Sequence, residues 1–286
     1  MDQERATMAA LPSDVEAALE LVKARLWKLT SKKRPVLYPA AAHLIRAGGK
    51  LVRPSLTLLS CKAMGGDPFK AVPAAVAVEM IHVASLIQDD IMDGDSRRRG
   101  LPSVHEIYGE NEAMLASDLL IQLAVSEANR LGRRVVAELA RAARLLAHGQ
   151  ELDLVAKEQH VSTSHYLKVV RLKTGVLMGC CMAEGAIVAG AEPTTVKLMR
   201  QAGTLFGMAF QVHDDYLDWE AGERTSSNAV AVLGAELAKK TEENLLERSL
   251  SIISKLKPKM DVSVDFASMF RASLIGKAQG LTSGSL

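Results

Sequence analysis

The segment from Pro73 to Asp93 is apolar on nearly every side of the helix that it would form. A helix of this kind is stable in water only when other helices enclose it, as in the centre of a bundle. Apolar segments of helical length follow along the rest of the chain, and no convincing β-type alternation is found in the sequence. The sequence therefore predicts an all-α protein. Its predicted helices cover 15–29, 38–46, 54–64, 73–93, 111–130, 133–157, 163–190, 194–218 and 230–256.

The composition supports the same fold class. Hydrophobic residues make up 48% of the chain but aromatic residues only 4%. Abundant Ala, Leu, Val and Met with few aromatic side chains favours helices over sheets. No segment has the composition of a linker, so we expect one domain over residues 1–286, with flexible ends at 1–12 and 281–286.

Charge and cysteine content argue against several classes of function. The formal net charge is +2, so no global field attracts nucleic acid or a membrane surface. Cys61, Cys180 and Cys181 lack the spacing of metal ligands and suit a reducing compartment. The N-terminal residues contain no apolar signal core, and polar residues interrupt every long apolar run. We therefore expect a cytoplasmic protein without a membrane span or a nucleic-acid partner.

Two aspartate clusters of the same form follow apolar runs. They consist of Asp89, Asp90 and Asp93, and of Asp214, Asp215 and Asp218. In a helix, the first and last aspartates of each cluster are four residues apart and lie on one face. Carboxylates at that spacing bind hard cations such as Mg²⁺, which takes oxygen ligands and shares them with substrate phosphates. Two such faces across a cavity would hold several ions around one diphosphate; the alternative is that each cluster is an acidic surface turn.

Basic residues accompany these clusters. Lys50 and Arg53 follow a Gly-Gly turn at a helix start, where backbone amides and two cations together form a phosphate site. The arginines at 97–99 follow the first cluster, and their guanidinium groups match phosphate oxygens. His82 precedes that cluster by two helical turns, and Lys173 lies in an apolar segment, where a lysine needs an anionic partner. Each feature also has a purely structural interpretation. The Gly-Gly turn can simply end a helix, the arginines can form a solvated turn, and His82 can be a core side chain whose hydrogen bonds are satisfied.

Taken in order, these motifs resemble those of the trans-isoprenyl diphosphate synthases, the polyprenyl synthetase family, over about residues 40–220. The shared pattern is Gly-Gly-Lys-x-x-Arg-Pro, an aspartate motif followed by Arg-Arg-Gly, then Lys-Thr, then Phe-Gln-x-x-Asp-Asp-x-x-Asp. The resemblance implies a bundle of about 10–13 helices around a deep central cavity. It also implies a homodimeric, Mg²⁺-dependent enzyme that condenses isopentenyl diphosphate with an allylic diphosphate.

The resemblance further assigns roles to individual residues. In the family, the two aspartate motifs bind three Mg²⁺ ions that hold the allylic diphosphate. The implied direct ligands are Asp89, Asp93 and Asp214, supported by Asp90, Asp215 and Asp218. The implied contacts to isopentenyl diphosphate are Lys50, Arg53, His82 and Arg99, and those to the allylic diphosphate are Arg98 and Lys173. Oxygens of Thr174 and Gln211 match groups that face the developing carbocation.

Product length is expected to depend on the helix that carries the first aspartate cluster. Ala84 and Ser85 precede Asp89 by five and four residues, and Ile81 and Val78 lie one and two turns further along. Related enzymes that stop at fifteen carbons tend to carry aromatic residues at the first two positions. The small side chains here indicate an open path and a product of at least twenty carbons.

The chain departs from the family pattern at two places. After Asp218, the segment 219–228 lacks the usual lysine and Gly-Lys-x-Thr-Leu-Pro-like sequence, and Arg224 is a candidate substitute for that lysine. Gln88 occupies a position where histidine is common. Two alternatives therefore stand beside a chain-elongating enzyme: a catalytically silent partner subunit of a synthase, and a terpene cyclase or other-acceptor prenyltransferase of the same fold. The apolar segment 111–130 is the expected dimer interface.

Overall fold

The computed structural model describes residues 11–33, 35–156, 161–222, 224–256 and 266–269. The described residues form an α-helical bundle, as the sequence predicts. Its helices are α1 Ser13–Thr30, α2 Leu37–Arg46, α3 Val52–Ala63, α4 Val72–Asp93, α5 Val104–Tyr108, α6 Glu110–Asn129, α7 Arg133–Ala156, α8 Thr163–Val170, α9 Val176–Val188, α10 Pro193–Glu220, α11 Ala229–Leu233 and α12 Ala235–Lys255. A 3₁₀ turn at Pro68–Ala71 precedes α4. Of the expected flexible ends, residues 1–10 and 281–286 lie outside the described residues.

Helix α4 is the centre of the first half of the bundle. It packs against α1, α3, α6 and α9, which cover its apolar surface on several sides. The segment Pro68–Asp93 is long and apolar enough to cross a membrane, but 72% of its most apolar window is buried inside the protein. Gly94 ends α4 in the left-handed conformation with φ 67°, and its N–H bonds to the carbonyl of Asp90. The first aspartate cluster therefore occupies the last turn of a buried helix.

The second half is built on the contact of α9 and α10. Every residue from Val176 to Ala186 in α9 is buried. Gly203 of α10 lies so close to α9 that a Cβ atom would be 2.6 Å from the carbonyl oxygen of Met178. Helix α12 packs on another side of α10 and completes this layer. The close approach fixes α10, which carries the second aspartate cluster.

Three local features differ from the prediction. The predicted helix 163–190 contains a π-helical turn at Arg171–Gly175, which separates α8 from α9. The predicted helix 230–256 is interrupted at Gly234, whose φ of 79° is left-handed. Two short strands, β1 Arg97–Arg98 and β2 Leu101–Pro102, pair in antiparallel register. Their turn has positive φ at both Arg99 and Gly100, as a two-residue hairpin requires, and arginine is an unusual residue for that conformation.

Candidate active site

A cavity of about 690 Å³ opens between α3, α4, α8 and α10. Members of both aspartate clusters face it, together with the predicted basic residues; Asp90 and Asp93 are outside its lining. The predicted site residues in its lining are Lys50, Arg53, His82, Ser85, Asp89, Arg98, Arg99, Lys173, Thr174, Gln211, Asp214, Asp215 and Asp218. The structure thus brings together residues that are up to 168 positions apart in the chain, from Lys50 to Asp218.

The members of the first cluster have different environments. Asp89 faces the cavity, and burial raises its pKa to about 6, with Asp93 and Asp153 adding to the rise and Lys173 opposing it. Asp90 is fully buried and accepts a hydrogen bond from Arg98 Nε at 2.6 Å. Asp90 therefore orients Arg98 instead of facing the cavity.

Lys173 lies in the π-helical turn and forms an ion pair that the sequence did not identify. Its ammonium donates a hydrogen bond to Asp153 Oδ2 of α7 at 2.6 Å and lies 3.9 Å from Asp89 Oδ2. The sequence indicated only that a lysine in an apolar segment needs an anionic partner, and it did not identify Asp153 as that partner. Asp153 also lines the cavity, so it joins the candidate site.

Asp215 in the second cluster is held by surrounding donors. Tyr166 Oη donates to its Oδ2 at 2.8 Å, and Gln211 Nε2 donates to its Oδ1 at 2.8 Å. The backbone N–H of Ala229 donates to the same Oδ2 at 3.0 Å. Burial raises the pKa of Asp215, and these hydrogen bonds oppose the rise. Asp215 is therefore held in a fixed position at the edge of the cavity, and Asp214 and Asp218 also line the cavity.

The residues predicted to bind isopentenyl diphosphate form one cationic side of the cavity. Arg53 Nη1 lies 3.2 Å from His82 Nε2. Burial lowers the pKa of His82 well below 6.5, and the neighbouring arginines lower it further, so the ring is neutral near pH 7 and accepts from Arg53. Arg99 Nη1 donates to the backbone carbonyls of Leu44 and Gly48, which fixes its guanidinium beside the Gly-Gly turn.

Glu79, which the sequence did not single out, lies on the same side. It is 4% exposed on α4, one turn before His82, and lines the cavity. Burial raises its pKa, while the positive charges of Arg53 and Arg99 oppose the rise. Glu79 could have been identified from its position in an apolar helix, because a buried carboxylate needs a cationic partner.

A second cavity, of about 220 Å³, lies beneath Asp89. It shares Ser85, Asp89 and Lys173 with the larger cavity, so the two are adjacent. The remaining lining residues are Ile81, Ala84, Gln88, Ile121, Ala143, Leu146, Ala147 and Gln150. Three of the four predicted chain-length residues therefore face this space, while Val78 is fully buried in the core outside its lining.

The donor set at the mouth fits Mg²⁺. Asp89, Asp214 and Asp218 line the cavity and offer carboxylate oxygens, which this ion prefers, and Asp93 is exposed one turn after Asp89 at the end of α4. Within the described ranges, no three carboxylate, imidazole or thiol side chains come close enough to enclose a metal by themselves. Mg²⁺ characteristically takes one or two carboxylates and completes its coordination with water and substrate phosphates. The raised pKa of Asp89 also indicates a carboxylate that a nearby cation would stabilise.

Comparison with known proteins decides the family. Residues 34–231 match the family model of the polyprenyl synthetases. The chain belongs to the polyprenyl synthetase family. It is 40% identical over 208 residues to a short chain isoprenyl diphosphate synthase from Methanothermobacter thermautotrophicus, covering 71% of this chain and 63% of that protein. It is also 40% identical over 207 residues to a geranylgeranyl pyrophosphate synthase from Geoglobus acetivorans, covering 70% and 65%.

Solved structures of this family share the fold. A geranyltranstransferase from Thermotoga maritima superimposes with a TM-score of 0.77 at 28% identity, covering 94% of this chain and 98% of that one. This similarity confirms the predicted all-α fold of the isoprenoid synthase type. The sequence matches to the two curated relatives above nevertheless span less than two thirds of their lengths.

The segment that departs from the family pattern closes one edge of the cavity. Thr225, Ser227 and Asn228 line it, although the usual lysine-bearing sequence is missing. Asn228 caps α11 and donates a hydrogen bond to the backbone carbonyl of Asp215 at 2.6 Å. Arg224, the candidate substitute for the lysine, lies 5.0 Å from the ring centre of Trp219. Nothing in the sequence identified Asn228 or Tyr166, because both act through contacts with a distant helix.

Proposed function

We propose that this protein is a Mg²⁺-dependent prenyltransferase that condenses isopentenyl diphosphate with an allylic diphosphate. The observation that carries the proposal is the adjacency of two unlike cavities. The larger has carboxylates and cations around its mouth, and it meets the mainly apolar cavity beneath Asp89 through Ser85, Asp89 and Lys173. A charged head group with an apolar tail fits this pair of spaces. The names of the two relatives, a short chain isoprenyl diphosphate synthase and a geranylgeranyl pyrophosphate synthase, support the same substrate class.

Each half of the site has a distinct task in this proposal. Asp89, Asp93 and Asp214 would hold Mg²⁺, in three ions, supported by Asp90, Asp215 and Asp218; the metal supplies positive charge that makes diphosphate a better leaving group. Arg98 and Lys173 bind the allylic diphosphate and neutralise its departing charge. Lys50, Arg53, Arg99 and the neutral ring of His82 bind the diphosphate of isopentenyl diphosphate.

Catalysis requires that the allylic cation survive until the second substrate attacks it. The apolar side chains beneath Asp89 exclude water, which would otherwise hydrolyse the cation. Thr174 Oγ1 donates to Gln211 Oε1 at 2.8 Å, so the two side chains present fixed oxygen dipoles to the cavity. The double bond of isopentenyl diphosphate then forms the new carbon–carbon bond, and the proton that is lost passes to the released pyrophosphate.

Product length and assembly belong to the same proposal. Ala84 and Ser85 leave the path beneath Asp89 open, which favours a product of twenty carbons or more. A homodimer is supported by α6, where Met114 and Leu115 are each 58% exposed and Val125 is 40% exposed. Large apolar side chains on one exposed helix face are typical of a subunit interface.

A single assay tests the proposed activity. The purified protein is incubated with Mg²⁺, isopentenyl diphosphate and allylic primers of several lengths, and the products are separated by chromatography. Elongated prenyl diphosphates are the expected result, and Asp214→Ala should abolish them. Hydrocarbon or alcohol products would indicate a cyclase. Absence of turnover under all conditions would favour a silent partner subunit and overturn the proposal.

A further inference from the structure

Gln150 of α7 lines the cavity beneath Asp89 and has an unusual environment. Its side chain is 9% exposed, and within the described part of the chain neither Oε1 nor Nε2 has a hydrogen-bond partner. A buried amide without partners lowers stability, and an apolar side chain of similar size would avoid that cost. A polar group in this position therefore calls for a functional explanation.

The position of Gln150 along α7 places it near the cavity mouth. It precedes Asp153 by three residues, so it lies about 4.5 Å deeper along the helix axis. Asp153 pairs with Lys173, which lines both cavities. Ala143 lies seven residues further from the mouth. In the proposed function, the first isoprene unit of an allylic diphosphate bound at Lys173 would therefore pass beside Gln150.

Gln211, on the opposite side of the mouth, offers an instructive contrast. Its Oε1 accepts a hydrogen bond from Thr174, and its Nε2 donates one to Asp215, both at 2.8 Å. That amide is fixed and satisfied before any substrate binds. The amide of Gln150 is unsatisfied, and the hydrocarbon tail of a substrate offers it no hydrogen bond. The one polar event expected beside it is the appearance of positive charge on the allylic group.

We propose that Gln150 is a further catalytic residue, whose amide oxygen stabilises the allylic cation; the inference rests on the proposed function. The bond between the allylic carbon and the diphosphate oxygen breaks with both electrons leaving on the diphosphate. Gln150 forms no covalent bond and contributes an ion–dipole interaction with the positive carbon. The π electrons of isopentenyl diphosphate then form the new bond, and a proton leaves.

This assignment has a recognisable kinetic signature. An interaction that is absent with the bound substrate and present only with the cation increases the rate of ionisation and leaves substrate affinity unchanged. Removal of the amide also relieves the cost of burying it in the resting protein. Gln150 thus lowers the stability of the protein and raises its activity. Replacement of a purely structural glutamine would instead lower the stability of the protein.

The experiment uses Gln150→Leu and Gln150→Met, with Gln201→Leu on the exposed side of α10 as the matched control. Three quantities are measured: the single-turnover rate of condensation, the Kd of a non-ionisable thiolo analogue of the primer, and the Tm without ligands. We expect the rate to fall about 10²-fold, as for loss of one oxyanion-hole donor. The analogue Kd should stay within a factor of two or so of the wild-type value. The Tm should be equal or higher, and Gln201→Leu should leave the rate and the Kd unchanged.

Two results would overturn the assignment of Gln150. One is an unchanged single-turnover rate in a folded variant; the other is a loss of analogue affinity that accounts for the whole loss of rate. The unbranched Met variant keeps the test available if the Leu variant fails to fold. Failure of the proposed function is distinguishable, because then the wild-type protein itself forms no elongated product.

Discussion

The Lys173 ammonium donates a hydrogen bond to the Asp153 carboxylate at 2.6 Å and lies 3.9 Å from Asp89 Oδ2. A cation from the π-helical turn is thereby fixed between the carboxylates of α7 and α4. The π-helical turn inserts an irregularity into an otherwise continuous apolar helix, and such irregularities are frequent at functional sites. The pair defines the junction of the two cavities, because Lys173 lines both.

Replacement of Asp153 tests the importance of this position. Asp153→Asn removes the charge that holds Lys173, so the lysine should no longer be fixed for the allylic diphosphate. We expect kcat/KM for the primer to fall about 10- to 100-fold, the effect of a misplaced binding group. The KM for isopentenyl diphosphate should change little. Steady-state kinetics of both substrates provide the measurement; Glu247→Gln on the exposed side of α12 is the control, and unchanged primer kinetics would refute the role.

Replacement of Asp89 should raise the stability of the protein and lower its activity. Burial raises its pKa from 3.8 to about 6, so the folded protein keeps this proton to higher pH than the unfolded chain. The carboxyl therefore costs stability progressively as pH rises through this interval, by roughly 3 kcal/mol for a shift of about two units. In metal-free buffer at pH 8, Asp89→Asn should raise the free energy of unfolding by an amount of this order.

The same variant should lose elongation activity, because an amide is a poor ligand for Mg²⁺ where a carboxylate is needed. Denaturant unfolding with a chelator present measures the first effect at pH 8 and, as the control, at pH 4, where the gain should be much smaller. A variant that is less stable than the wild type at pH 8 would show that the pKa of Asp89 is not raised in the folded protein.

The sequence predicted the parts of the molecule that have a local pattern. The apolar circumference of the segment 73–93 identified the central helix, and the four-residue spacing of Asp214 and Asp218 identified one face of α10. The family resemblance, from its ordered motifs, named the basic residues that the structure places around one cavity. The helix patterns and the motifs are both local in sequence, so they can be recognised without knowledge of the tertiary structure.

Contacts between distant elements have no such pattern. Tyr166 and Asn228 hold Asp215 from two other elements, and Asp153 holds Lys173 from α7. The hairpin around Arg99 was missed because arginine rarely occupies a left-handed turn position. Here the hydrogen bonds of its guanidinium to the carbonyls of Leu44 and Gly48 support that conformation. Such positions depend on the assembled tertiary structure.

The neutral state of His82 predicts a pH dependence of stability. Burial and the neighbouring charges of Arg53, Arg99 and Arg98 hold its pKa well below 6.5. Below pH 6.5 the unfolded chain gains a proton that the folded protein does not, so stability falls on acidification by up to about 1.4 kcal/mol per pH unit. His82→Gln removes this contribution. We expect a flatter dependence of unfolding free energy on pH between 7 and 5, measured by urea titration; parallel curves for the two proteins would contradict it.

The small side chain of Ala84 predicts the product length. Ala84 is 1% exposed in α4 and lines the cavity beneath Asp89, so a phenylalanine there would project into the path of the growing chain. Ala84→Phe should therefore shorten the main product and lower kcat/KM for the longest primer most strongly, because a longer tail meets the ring. The KM for isopentenyl diphosphate should be retained, since Lys50, Arg53 and Arg99 lie in the other cavity. Ala84→Ser, which adds one hydroxyl, is the matched control and should keep the wild-type products. Chromatography of the dephosphorylated products decides the question: the same chain-length distribution in the Phe variant and the wild type would show that this cavity does not receive the tail.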